Sequence, residues 1–415
     1  MKKIDLFFLL FSLFPAMLFA GPSSNQKVLD EVWQEVARNH FHKDFDARYR
    51  KTVYEKHLPA ILQSADIPSL TDNLNRMLED IGHSHLRVFP PGNNGAKPQF
   101  RPVENPGPAD PPADPGFTVL TCGKELRVRE VRPGSAAADA GLVPGDILLE
   151  VDGWRCKVDP ASAIPAGMTA GLLLERGGTG SICEVKIQKY DTGKEMTLRL
   201  KRSAHGGQRV QSPALPPMFL RYEAKMLTAR TGYLRFNIFV PEVVKKFRRD
   251  RRRGVFKAAE NIIIDLRGNP GGILLTAEWL GAWCFPVKLP LGMLIVDGVK
   301  LAPVSEPQKG CFNGKVVVLV DGDSASTSEF FAAAVQDGKA GVVIGSKTPG
   351  KCLPSIFFNL PSGFLLQAVS GDARRPSGKE IEKIGVTPDI PVENLFIHGK
   401  DGVLARALLF LKENK

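Results

Sequence analysis

Three apolar runs limit what this chain can become: "NIIIDL" at 261–266, "KVVVLV" at 315–320 and "GVVIG" at 341–345. None alternates polar with apolar residues, so each must be buried on both faces, which is the condition of strands in a helix-covered parallel sheet. Helix-like segments stand between them, "ILLTAEWLGAWCF" (273–285) and "SEFFAAAVQD" (328–337), and "GYLRF" (232–236) precedes them. Strands alternating with helices predict βαβ units and an α/β core.

Parallel strands point the same way, and ligands bind beyond their carboxyl ends, where helix N-termini offer unpaired N–H groups. Three features fall on that edge: Arg267-Gly268-Asn269-Pro270-Gly271-Gly272, the serine turn "DGDSASTSEFF" (321–331), and Ser346-Lys347-Thr348-Pro349-Gly350-Lys351. A hydroxyl, an amine and a glycine-rich backbone brought together suit acyl transfer. The hydroxyl needs a base to take its proton, and the tetrahedral oxyanion needs preorganised N–H donors. Gly271 or Gly272 would bring one N–H close, and Thr327 would offer another from the helix start. A lysine serves as base only where burial lowers its pKa from about 10.4. Lys351, between Gly350 and Cys352, is better placed for that than Lys347 or Lys339. The competing reading is structural: Ser326-Thr327-Ser328-Glu329 fits the S-x-x-E capping box. Composition and spacing leave the choice among Ser324, Ser326 and Ser328 open.

Upstream, 43% hydrophobic and 24% charged residues exclude a disordered chain. Residues 1–20 begin with Lys2 and Lys3, run apolar from Leu6 and end at Ala20, the layout of a signal peptide, with retention as an N-terminal anchor as the alternative. The expectation is an exported protein, periplasmic or secreted. Residues 21–90 carry apolar positions at three- and four-residue steps (Val28, Val32, Trp33, Val36; Leu70, Leu74, Met77, Leu78) and predict a helical domain. It ends in "GHSHLRVF" (82–89), whose alternation suggests a strand carrying His83 and His85 on one face. Residues 91–115 are rich in proline and read as a linker. Trp154 and Trp279 are expected in cores or domain interfaces.

The six cysteines permit disulfides without selecting a pairing, and none has zinc-site spacing. No metal, nucleotide or other cofactor is implied. The net charge of +11 is concentrated partly in "KKFRRDRRR" (245–253), which would suit a nucleic-acid or anionic-lipid surface. In an exported chain a solvated face is the better reading, and no nucleic-acid partner is expected. A basic surface-binding protein remains a rival class, marked by steep salt dependence.

Residues 116–203 include "VRPGSAAADAGLVPGDILLEVDGW" (131–154), a strand, Pro-Gly turn, short helix, Gly-Asp turn and strand that resembles a PDZ domain. In that resemblance Gly116, Phe117 and Thr118 fall in the loop whose N–H groups capture a peptide's terminal carboxylate. The core, 204–415, resembles the C-terminal processing (tail-specific) serine peptidases. The carriers are "DSASTSEFFAAAVQDGKAGVVIGSKTPGK", "IIIDLRGNPGG" and "EIEKIGVTPDIPV" (380–392). That family spaces its nucleophile 25 residues before its lysine, which selects Ser326 for Lys351. The resemblance implies an α+β multidomain serine endopeptidase that binds accessible C-termini of protein or peptide substrates and cuts with a Ser–Lys dyad.

One position departs from the family. Where it carries a glutamine four residues after the lysine, this chain has Ser355. The related tricorn-type cores are similar in fold but use Ser, His and Glu, and the matching positions here are His85 and Glu382. Imidazole needs no large pKa shift to act as a base near neutrality. A non-catalytic peptide-binding scaffold is the remaining alternative.

Overall fold

A computed structural model of the protein describes residues 22–91, 113–159, 162, 165–175, 177–204, 206–212, 215–296, 298–392, 396–397 and 400–414. The expected signal peptide and most of the expected linker lie outside the described residues.

The N-terminal part is helical, as its periodicity predicts: α1 (Pro22–Asn39), α2 (Phe45–Tyr49), α3 (Glu55–Leu62) and α4 (Ile67–Asp80). Asp66 caps α4 by accepting from the Ser69 N–H at 2.8 Å. These helices do not close a core alone. Leu29, Val32, Leu74 and Met77 pack with Leu360, Phe364, Leu366 and Ala368, which belong to a late excursion of the chain. That excursion is a hairpin of strands Ser355–Asn359 and Leu365–Val369, and strand Arg87–Phe89 pairs with its second strand. The expected strand over 82–89 is therefore confined to its last three residues. His85 has φ 61° and sits in the turn before it, so His83 and His85 do not share a strand face.

The next unit is an antiparallel sheet of strands Phe117–Cys122, Glu125–Val131, Ile147–Val151, Ile182–Gln188 and Glu195–Lys201 in that spatial order. Helix α5 (Ala136–Asp139) follows the Pro133-Gly134 turn, and α6 (Ala166–Leu174) packs against the 117–122 strand. Ala113 and Asp114, placed by sequence in the linker, pair with Ser203 and Ala204 and are buried. The unit thus begins earlier than its expected first residue.

The core sheet runs in spatial order Tyr222–Met226, Thr231–Phe236, Asn261–Asp265, Lys315–Val320, Val342–Gly345 and Ile390–Pro391. Only the first pair is antiparallel. Helices α7 (Pro241–Arg252), α8 (Leu274–Cys284) and α9 (Thr327–Asp337) connect successive parallel strands, and α10 (Gly402–Glu413) packs on the sheet. The apolar runs are explained by this double cover. Ile262, Ile264, Val316 and Val318 pack with residues of α7, α8 and α9, whereas Ile263, Val317 and Leu319 pack with Val403, Ala407 and Leu411 of α10. Trp154 and Trp279 correct the sequence expectation: they are 41% and 42% exposed, on outward faces. All six cysteines are free thiols.

Candidate active site

The glycine turn and the serine turn follow adjacent strands and are stitched together. Ser324 Oγ donates to the Leu266 carbonyl at 2.9 Å and Ser328 Oγ to the Asn269 carbonyl at 2.8 Å; both serines are wholly buried. Their hydroxyls are structural. Ser326 is the serine of the three that lines the central cleft, a cavity of about 1400 Å³. Its backbone is held at φ 55° and ψ −119°, a conformation that costs an L-residue on the order of 1–3 kcal/mol.

That conformation is imposed from two sides. The Ser326 N–H donates to the Lys351 carbonyl at 2.8 Å and to Glu329 Oε2 at 3.1 Å. Glu329, which the sequence offers as a capping residue, does more than cap. Its carboxylate also accepts from the N–H groups of Gly350 (2.8 Å) and Lys351 (2.9 Å), from Thr348 Oγ1 (2.5 Å) and from the Cys352 thiol (3.1 Å). One buried carboxylate thereby fixes the main chain of both Ser326 and Lys351. Burial pushes the Glu329 carboxyl above its usual range, against these donors, which favour the anion.

Lys351 lines the same cleft and is 7% exposed, whereas Lys347 and Lys339 are exposed. Burial lowers its pKa, opposed by the carboxylates of Glu382, Glu329, Asp159 and Glu79. Its Nζ donates to the Ser162 carbonyl. Ser355, standing where the family glutamine is expected, accepts from Gln367 Nε2 at 2.9 Å, and both residues line the cleft with Lys351. Gln367 comes from the opposite strand of the hairpin, and no local signal marks it in sequence.

Among the candidate oxyanion donors, Gly271 differs from its neighbour. Its N–H already donates to Asn269 Oδ1 at 2.9 Å, and its role is steric, since a Cβ there would meet the Ser326 Cβ and the Thr327 nitrogen at 2.8 Å. Gly272 and Thr327 line the cleft, and the Thr327 hydroxyl donates to the Gly272 carbonyl at 2.7 Å. The Thr327 N–H belongs to the first turn of α9, where helix donors lack intrahelical acceptors.

His85 also reaches the cleft. Ser84 Oγ donates to Glu382 Oε2 at 3.0 Å and lies 2.9 Å from His85 Nδ1. One hydroxyl proton cannot serve both contacts, so Nδ1 carries the donor hydrogen and Nε2 keeps its lone pair. Ser84 therefore relays between His85 and Glu382. Glu382 also accepts from the Cys352 N–H at 2.8 Å. Burial, with a smaller effect of Lys351, lowers the His85 pKa to about 4. His83 is elsewhere, ringed by His40, Phe41 and His42.

The 117–122 strand and α6 form a groove that opens into this cleft: Gly116, Phe117, Thr118, Val119, Met168 and Leu172 line the same cavity as Ser326. Gly116 has φ 99°, and a Cβ there would strike Ser135 at 2.1 Å. Its N–H donates to Asp114 Oδ1 at 2.7 Å. Asp323 and Arg129 are among the side chains that bind this unit to the ends of the core strands. Asp323, on the serine turn, accepts from the Thr121 N–H (2.5 Å), the Thr121 hydroxyl (2.7 Å) and the Gly167 N–H (2.9 Å). Arg129 donates to the Arg267 carbonyl (2.6 Å) and to Asp265 (2.7 Å), just before the glycine turn. Burial opposes ionisation of Asp265, yet Arg129 and Arg267 hold its carboxyl well below the usual range. Burial, reinforced by Asp321, raises the Asp323 carboxyl to about 7.

An α/β core with Ser326 and Lys351 in one cleft, joined to a peptide-groove module, points to the class: a hydrolase acting on peptides. Residues 230–392 match peptidase family S41 and residues 127–163 match the PDZ domain. The chain is 24% identical over 383 residues to the carboxyl-terminal-processing protease of Picosynechococcus, spanning 88% of this chain and 83% of that one. It is 26% identical over 391 residues to carboxyl-terminal-processing peptidase 2 of Arabidopsis thaliana, spanning 88% and 68%. In fold it is similar to a photosystem II D1 C-terminal processing protease, with TM-score 0.58, 22% identity and 93% and 97% of the two chains covered. The tricorn protease shares the fold at TM-score 0.52 and 15% identity, over 95% of this chain and 37% of that one. The core is similar to peptidase family S41, and the protein is a serine peptidase that carries a PDZ domain.

Proposed function

We propose that the protein is an exported endopeptidase that captures the C-terminal tail of a protein substrate in its PDZ groove and cleaves it with Ser326, Lys351 acting as base. The observation that carries this reading is the single cleft shared by the groove, Ser326 and Lys351. Neutral Lys351 Nζ takes the Ser326 hydroxyl proton as Oγ attacks the scissile carbonyl. The oxyanion falls to the N–H groups of Gly272 and Thr327, each such donor being worth about 2.7–4 kcal/mol. Lys351 returns the proton to the leaving amine, and water then hydrolyses the acyl-enzyme by the reverse proton path.

A second reading uses His85 as base, with Ser84 passing the influence of Glu382; the hydrogen-bonded series Glu382, Ser84, His85 favours it. The lowered pKa of His85 makes it a weak base, which favours Lys351.

The test incubates the protein with unstructured peptides that differ only at their C-termini, with products followed by mass spectrometry against Ser326→Ala. Cleavage that depends on the terminal residues and disappears in the variant is expected. Tail binding without cleavage by either protein would replace this reading with a peptide-binding scaffold.

A further inference from the structure

The basic run at 245–253 has no part in the peptidase chemistry, and the structure divides it into two groups. Several of its cations are engaged: Lys245 lies 3.8 Å from Glu242, Arg249 is paired with Asp250 at 2.8 Å, and Arg248 and Lys246 stand over the rings of Trp283 and Tyr222. Arg251 and Arg252, at the end of α7, are set apart by the concavity they line. With Lys257, Lys309 and Gly310 they line a separate concavity of about 420 Å³. Among the described residues none of these four cations is paired with a carboxylate.

Arg251 is the built part of this concavity. Its guanidinium stands 5.4 Å from the centroid of the buried Phe312 ring, and one terminal nitrogen reaches the Lys257 carbonyl at 3.5 Å. Its Nε is buried with no hydrogen-bond partner. A buried unpaired donor on a charged group is costly, and burial of this kind is ordinarily accompanied by an acceptor. Lys309 arrives from another loop, on a turn in which the Cys311 N–H donates to the Gln308 carbonyl at 2.9 Å and Gly310 takes φ 80°. Two separate segments thus bring their cations to one place. The carbonyl end of α7 partly offsets the charge of its last turn, but it does not account for Lys257 or Lys309.

We propose that this concavity is a binding site for a phosphate-bearing anion, seated by Arg251, Arg252, Lys257 and Lys309. Four positive charges exceed what one carboxylate would balance, and a guanidinium presents paired donors suited to phosphate oxygens. A volume of about 420 Å³ leaves room for a phosphate or diphosphate group. The site lies at the opposite end of α7 from the catalytic edge, because α7 leaves the carboxyl end of the 231–236 strand and returns to the start of the 261–265 strand. The phosphate would come from a lipid headgroup or from a soluble phosphorylated compound.

The test is calorimetric titration of the full chain with inorganic pyrophosphate, for wild type and for R251Q/K309Q. Saturable binding, weakened about tenfold or more in the double variant and weakened again by added salt, is expected. Unchanged cleavage of a soluble peptide shows that the variant is folded. Flotation with phosphatidylcholine vesicles, with and without about 20 mol % phosphatidic acid, separates the sources. Vesicle capture that pyrophosphate competes away assigns a headgroup, and pyrophosphate binding without vesicle capture assigns a soluble ligand. No saturable binding by wild type at about 10 mM pyrophosphate, or equal binding by the variant, would overturn the site.

Discussion

Asp323 and Glu329 stand three residues to either side of Ser326, both buried, and they face opposite ways. Glu329 collects its donors from the core: Ser326, Thr348, Gly350, Lys351 and Cys352. Asp323 collects from the PDZ domain: Thr121 and Gly167. Both carboxyls are raised by burial, yet one ties the main chain of Ser326 to that of Lys351 and the other ties the serine turn to the PDZ domain. The difference teaches that the same turn carries two mechanical duties. Under the proposed function, Glu329 sets the geometry for chemistry inside the core, and Asp323 sets alignment with a bound tail across the domain boundary.

The largest expected effect breaks the first duty. Glu329→Gln replaces an acceptor with an amide that faces N–H donors, displacing Ser326 relative to Lys351. We expect kcat to fall about 100-fold or more with KM little changed, since misplacement of about 1 Å costs that much. Asp323→Asn should act differently, raising KM for tail-bearing peptides and lowering kcat about tenfold at most. Equal losses of kcat in the two variants, measured on one peptide, would erase the distinction.

A smaller effect of Asp323 is read through pH. Because the folded pKa of Asp323 is raised to about 7, the folded protein holds a proton that the unfolded chain releases near 3.8. Stability from this group is complete below that lower value and is lost as pH rises through about 7. Melting temperatures measured between pH 5 and 8 should therefore fall less with rising pH in Asp323→Asn than in wild type. The N-terminal histidines give the opposite slope. Burial and neighbouring cations lower His40 to about 3 and His83 to about 4. Their contribution is present above the ordinary imidazole value of 6.5 and is lost as pH falls toward the folded values. His40→Phe should flatten that acid limb. The smallest effect is Thr121→Val, which removes one of the three donors to Asp323 and should cost about 1 kcal/mol in denaturant unfolding.

Much of this was legible in sequence. The continuous apolar runs predicted the buried parallel sheet, and the strand ends predicted that the glycine turn, the serine turn and Lys351 share an edge. What escaped was set by partners distant in the chain. Glu329 carries the local signature of a capping box, and nothing in that pattern shows that Gly350, Lys351 and Cys352 also donate to it. Asp323 reads as a turn residue, while its donors lie 202 and 156 residues away. The alternation of "GHSHLRVF" suggested a strand, but His85 takes φ 61° where Ser84 docks on Glu382. The N-terminal helices read as a separate domain because the hairpin residues that complete their core come some 270 residues later.

The most direct measurement is steady-state kinetics of Lys351→Ala and His85→Ala on one cleavable peptide. The account predicts that Lys351→Ala loses all turnover above the Ser326→Ala background, while His85→Ala stays within about tenfold of wild type. Retained turnover in Lys351→Ala together with its loss in His85→Ala would contradict it and assign the base to the Glu382, Ser84, His85 series.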